Sequence, residues 1–169
     1  MLTPRPADQP AKVEWVKRLA VKYGGIESLN KAWNTKYESW EALLTSTEKV
    51  LYKNMAADVD KCFEDYLDRF FRISRDACKE LFPNQLYLGS RLHAVEDPMV
   101  MKAAETYCDV ISYNLYLKTL AGWTGPTRDL KKPVMATEFH FGALDRGMFH
   151  TGLQPASSQE DRAEHYAEY

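Results

Sequence analysis

The stretch PVMATEFHFGALDRGMFHTG, residues 133–152, decides how this chain is read. It opens as a buried strand, Pro133 to Thr137, and then sets a carboxylate, Glu138, inside an apolar run. Phe139, His140, Phe141 and a glycine follow. A short apolar run bounded by proline and glycine reads as a strand. A carboxylate and an imidazole two residues apart at the end of such a strand share one side of it.

Two further strand candidates lie upstream. They are QLYLGSRL, residues 85–92, and DVISYNLY, residues 109–116, with KPVMATEF, residues 132–139, as the third. Between the first two, Asp97-Pro98 opens a helix with Val100, Met101, Ala104 and Tyr107 inward, proline taking its favoured place in the first turn. Before them, Val59, Phe63, Tyr66, Phe70, Ile73, Ala77 and Leu81 recur at helical spacing, which predicts a long helix with that face inward. The other face carries Asp58, Lys61, Asp65, Asp68, Arg72, Arg75 and Asp76, and Pro83-Asn84 ends the helix. A last helix starts near Ser158. Alternating helices and strands imply an α/β fold with parallel strands and crossover connections.

The N-terminal part reads as helical. Residues 1–10 are a loop. Residues 11–23 form a helix with Val13, Val16, Leu19 and Ala20 on one face, stopped by Gly24-Gly25. A short helix covers 26–33, and Ser39 caps another short turn beginning at Trp40.

Composition bounds the partners. The chain has 169 residues, about the length of one domain. A formal net charge of -2 offers no case for nucleic acid. No apolar run is long enough to span a membrane, and MLTPRPADQPAK at the N-terminus shows no signal-peptide core. The odd set Cys62, Cys78 and Cys108 contains no CxxC spacing, and reads as three small buried hydrophobes.

Each strand candidate is apolar in its body and polar at its C-terminal end: Arg91, then Asn114 with Tyr116, then Glu138 with His140. In parallel α/β folds, above all the (β/α)₈ barrel, sites assemble at those ends. Glycoside hydrolysis by a carboxylate pair is one chemistry that fits, with Glu138 attacking an anomeric carbon and a second acid protonating the leaving oxygen. A neighbouring arginine favours the ionised form that a nucleophile needs. Tyr113, Tyr116 and Trp123 offer stacking faces, and His150 lies in the loop directly after the strand. A metal site built from Glu138 and His140 with His93 or His150 is a second reading, although no HxH, HExxH or aspartate cluster occurs. A plain salt bridge from Glu138 to Arg91 or Arg146 is the third. His93 and His165 read as solvent-exposed or capping residues.

TEFHFGALDRGMFHTGL closely resembles the nucleophile segment of glycoside hydrolase family 50, the β-agarases, and SSQEDRAEHYAEY resembles the helix that follows. YLGSRL and DVISYNLY are similar to the two preceding strands. KYGGIESLNKAWNTKYESWEALL resembles a helical insertion shared with family 42 β-galactosidases. The resemblance implies a retaining glycosidase on a partial (β/α)₈ barrel, roughly strands five to seven with their helices. It implies a single incomplete barrel domain, residues 1–56 being the helical insertion and 57–169 the β/α units. Glu138 matches the nucleophile; Arg91, Asn114, Tyr116, Trp123, His140 and His150 would line the sugar cleft. The implied substrate is the β-1,4 galactosidic linkage of agarose or a related galactan, with no cofactor and no metal, and the implied location is secreted or periplasmic. The family's acid/base glutamate follows an asparagine, and no Asn-Glu pair occurs in this chain. The expectation is therefore a fragment, inactive alone. The alternatives are a β-galactosidase-like glycosidase, or a non-catalytic sugar-binding or assembly piece that associates through exposed sheet edges.

Overall fold

Short-range chemistry sets most helix ends. In a computed structural model describing residues 2–93, 97–123 and 130–169, α1 (Pro10–Tyr23) carries proline in its first turn and stops at Gly24, whose φ is +71°. Helix α2 (Ile26–Trp33) ends on Asn34 in the left-handed region, φ 54°. The Ser39 hydroxyl accepts from the Ala42 amide to start α3 (Trp40–Thr45). The Asp97 carboxylate accepts from the Met99 and Val100 amides to start α5 (Pro98–Tyr107). Ser158 accepts from the Asp161 amide to start α6 (Gln159–Glu168). Such caps satisfy amides that the first turn leaves without helical partners.

The chain divides into two compact units, Met1–Tyr66 and Leu67–Tyr169, the division falling inside the long helix α4 (Tyr52–Leu81). In the first unit, Trp15, Val16, Leu19, Ile26, Leu29, Trp33, Leu43, Val50 and Met55 form one apolar core. In the second, Leu67 and Phe71 join Leu92, Met101, Ala104, Cys108, Ile111, Tyr113 and Leu115. No helix among the described residues is long and apolar enough to cross a membrane.

The inward face of α4 differs from the expected stripe. Met55, Asp58, Leu67 and Phe71 are buried, whereas Phe63, Tyr66, Phe70, Ile73 and Leu81 are exposed. The charged position Asp58 can turn inward because Lys22, Tyr23 and the Trp33 indole all donate to its carboxylate, at 2.6, 2.8 and 2.7 Å. A buried charge is tolerated when it is paired and hydrogen-bonded in this way. The cysteines also differ from expectation: Cys108 is buried, Cys62 intermediate and Cys78 exposed. Burial, with Asp109 nearby, pushes the Cys108 thiol up to about 11.

Two of the three expected strands form. They are β1 (Ile111–Asn114) and β2 (Val134–Glu138), paired in parallel. Residues 85–91 do not form a strand. The segment runs beside β1, where the Ser112 hydroxyl donates to the Leu88 and Ser90 carbonyls at 3.3 and 3.4 Å, and Leu92 after it makes one parallel bridge to Tyr113. Gly89 sits at φ +66° with its Cα against Cys108, where an added Cβ would fall 2.3 Å from Sγ. That left-handed residue breaks the extended run while allowing the close approach.

Candidate functional site

The site is built where β2 ends. Register runs Ile111–Val134, Ser112–Met135 and Tyr113–Ala136, and then shifts so that Asn114 pairs with Glu138. Thr137 is the extra residue of this irregularity, a feature that re-aims side chains at the ends of strands. Along β2 burial alternates, with Val134, Ala136 and Glu138 on the more buried side.

Phe139 and Phe141 anchor the exit of the strand. Phe139 stacks on Tyr169 with centroids 4.2 Å apart, and Phe141 stacks on His165 at 5.0 Å. Arg162 Nε donates to the Phe141 carbonyl at 2.8 Å. With both phenyl rings held against α6 and its end, the alternate positions Glu138 and His140 share the other side. The Tyr116 side chain meets both of them there.

The Glu138 carboxylate is held at each oxygen. Arg91 donates to Oε2 and the Tyr116 hydroxyl donates to Oε1. The carboxylate is about three-quarters covered, with 28% of its side chain exposed. Charge-assisted bonds of this kind are the stronger class of hydrogen bond, and they fix the orientation of the acid. His140 sets its ring edge-on to Tyr116, with centroids 5.5 Å apart at 76°. Asn114 lies beside Glu138 in the ladder, and its side-chain Oδ1 is buried without a hydrogen-bond partner among the described residues.

The remaining expected residues lie differently. His150 is exposed, and its Nδ1 accepts from the Gly152 amide at 2.8 Å. The ring of Trp123 meets Tyr113 edge-on at 5.3 Å and packs against the core. Tyr113 is itself buried, 1% exposed, so it offers no face to a ligand. His93 is exposed and bonds to the Asn114 carbonyl through Nδ1, at 3.2 Å. His165 pairs with Asp161 one turn away. Gln154 was not singled out from the sequence, yet its Nε2 donates to the Tyr116 carbonyl at 2.5 Å. Only its place in the loop after the strand could have pointed to it.

This arrangement is a carboxylate fixed by a guanidinium and a phenol at the ends of parallel strands. Similar proteins match the chain over nearly its whole length. No family model matches the chain. β-Agarase B of Vibrio sp. (strain JT0107) is 39% identical over 165 residues, covering 95% of this chain and 17% of that protein. β-Agarase A of the same organism is 40% identical over 148 residues, covering 83% of this chain and 15% of its own. Among solved structures, an exo-β-agarase superposes with TM-score 0.81 at 36% identity, and the agarase AgWH50C with TM-score 0.78 at 35%. Each of those matches covers 99% of this chain and 24% of the solved one. The relatives are glycosidases, polysaccharide-degrading hydrolases by name. The chain matches a segment of the β-agarases of glycoside hydrolase family 50. It spans about a sixth of the length of the curated relatives it matches.

Proposed function

We propose that this chain is the nucleophile-bearing part of a retaining β-agarase, cleaving β-1,4 galactosidic bonds of agarose or a related galactan. Its strands and helices then correspond to strands five to seven of a (β/α)₈ barrel. The observation that carries the reading is the grip of Arg91 and Tyr116 on the two oxygens of Glu138 at a strand end. In the first step a Glu138 oxygen bonds to the anomeric carbon as the glycosidic C–O bond breaks. A second carboxylic acid gives its proton to the leaving oxygen. In the second step that carboxylate takes a proton from water, the water attacks the anomeric carbon, and Glu138 departs ionised. Retaining enzymes hold the two carboxyl groups about 5–5.5 Å apart.

The second acid comes from residues outside these 169, because no Asn-Glu pair occurs within them. Asn114 and His140 contact the sugar, with His150 and Trp123 further along the cleft. The test is reducing-end release from agarose by the chain alone, and by the chain joined to a preceding β-agarase region that carries its acid glutamate. Release is expected from the second sample only. Glu138→Gln should lower it by at least about 10⁴-fold. Azide added to Glu138→Ala should restore turnover and give the inverted glycosyl azide. Undiminished hydrolysis by Glu138→Gln would remove Glu138 from the mechanism.

One observation favours a second reading, an assembly piece. Among the described residues β2 pairs on one side alone, with β1, and an open strand edge invites another chain.

A further inference from the structure

We infer that the turn at residues 150–154 is a positioning element that sets the tautomer of His140, leaving its ring one N–H donor, on Nδ1, for an oxygen of a neutral sugar. The choice of sugar rests on the β-agarase reading above; the tautomer rests on geometry alone. The Leu153 amide donates to Nε2 of His140 at 3.1 Å. A backbone amide can only donate, so Nε2 presents its lone pair and the ring proton stays on Nδ1. Nδ1 has no hydrogen-bond partner among the described residues.

Gly152 makes this contact available. Its φ is +75°, and an added Cβ would fall 2.0 Å from Nε2 and 2.1 Å from Cε1 of His140. Only a residue without a side chain lets the turn lie this close. The imidazole therefore contacts Gly152 and, edge-on, the Tyr116 ring. The turn is tied down independently of the ring. The Gly142 amide donates to the Gln154 carbonyl at 2.9 Å, and the Ala156 amide to the Gly142 carbonyl at 2.8 Å. Gln154 Nε2 holds the Tyr116 carbonyl. At Gly142 a Cβ would fall 2.0 Å from the Thr151 carbonyl oxygen, so this approach is also made at a glycine. A protonated imidazolium, or the opposite tautomer, would turn Nε2 into a donor facing a donor and lose the Leu153 bond.

The test is ring-nitrogen NMR of the full chain labelled with [¹⁵N]histidine. The chain has 4 histidines, so single substitutions assign every signal. The expected spectrum shows His140 protonated at Nδ1 and bare at Nε2. Gly152→Ala should move those signals and weaken binding of an agarose-derived oligosaccharide about tenfold, a 1.4 kcal/mol change. Gly147→Ala is the control for backbone strain, because Gly147 has φ +85° with nothing within 4 Å of its would-be Cβ. It should leave the His140 signals in place and binding within about twofold. A proton on Nε2 of His140, or ring signals unmoved in Gly152→Ala, overturns the inference. If Gly152→Ala does not fold, the unsubstituted chain's spectrum alone decides the tautomer. Failure of the unsubstituted chain to bind the oligosaccharide, with His140 still protonated on Nδ1, overturns the galactan reading and leaves the positioning role standing.

Discussion

Tyr116 connects the parts of the candidate site at the scale of one residue. Its hydroxyl holds a Glu138 oxygen, its ring meets His140 and its carbonyl receives Gln154. Tyr116→Phe removes the first of these and keeps the ring. The acid-complemented protein carrying it should lose about 10–10²-fold in kcat, in line with one charge-assisted hydrogen bond of about 1.5–3 kcal/mol. Its thermal midpoint should stay within a few degrees, and a kinetic assay beside a melting curve separates the two effects. Arg91, Asn114, Tyr116, Glu138 and His140 could be singled out in the sequence because the polar close of an apolar run is a local signal, although the run ending at Arg91 is not a strand. The contact between Gly152 and His140 was not. It depends on a left-handed glycine twelve residues past the imidazole, and nothing in the run GMFHTG states where that turn folds back.

At the scale of the element, α4 shows how a helix face is chosen. The caps of α3, α5 and α6 could be read directly, since Ser39, Asp97-Pro98 and Ser158 act over three or four residues, and α4 could be read from its helical spacing. Its buried side could not, because the partners of Asp58 lie 25 to 36 residues earlier, on α1 and α2. Burial pushes the Asp58 carboxyl up, but the bonds from Lys22, Trp33 and Tyr23 outweigh it and hold the group below its ordinary value of 3.8. A carboxylate whose folded pKa is depressed adds stability above its unfolded pKa and loses it as pH falls through the folded value. Urea midpoints taken at about pH 7 and about pH 3 should therefore fall more for the unsubstituted chain than for Asp58→Asn. Asp58→Ala strands the Trp33 indole donor and should cost about 2–4 kcal/mol at neutral pH. Equal acid sensitivity in the two proteins would show that Asp58 is not the titrating group. A similar limit applied to QLYLGSRL: its alternation reads as a strand, and Gly89 overrides it through a backbone angle that the pattern does not encode.

At the scale of the whole molecule, apolar surface is the dominant feature of the second unit. Leu81, Phe82 and Leu86 are 73%, 61% and 66% exposed, and a cavity of about 440 Å³ lined by Cys78, Phe82, Gln85, Leu86 and Tyr87 opens beside them. Met135 adds an exposed side chain on β2. Patches of this kind mark surfaces that meet other protein. Sedimentation velocity on the chain alone should give a mass that rises with concentration above 19.5 kDa. Phe82→Lys combined with Leu86→Glu should reduce that rise. A monomer at every concentration would argue against association through this surface.

The irregular pairing at Tyr113 and Asn114 also bears on how such a segment can vary in length. Because Thr137 is the extra residue, Glu138 falls on the same side of β2 as Val134 and Ala136. Deleting Thr137 would restore an even ladder and carry the carboxylate to the Met135 side, since a one-residue slip exchanges the faces of a strand. Any single-residue insertion between Ala136 and Glu138 would do the same. Codon-scale gains and losses at this point are therefore expected to abolish agarose cleavage by the acid-complemented protein while the chain still folds. A library of one-residue indels across 130–145, scored for soluble expression and for hydrolysis, should show the two readouts diverging at 136–138 and agreeing elsewhere.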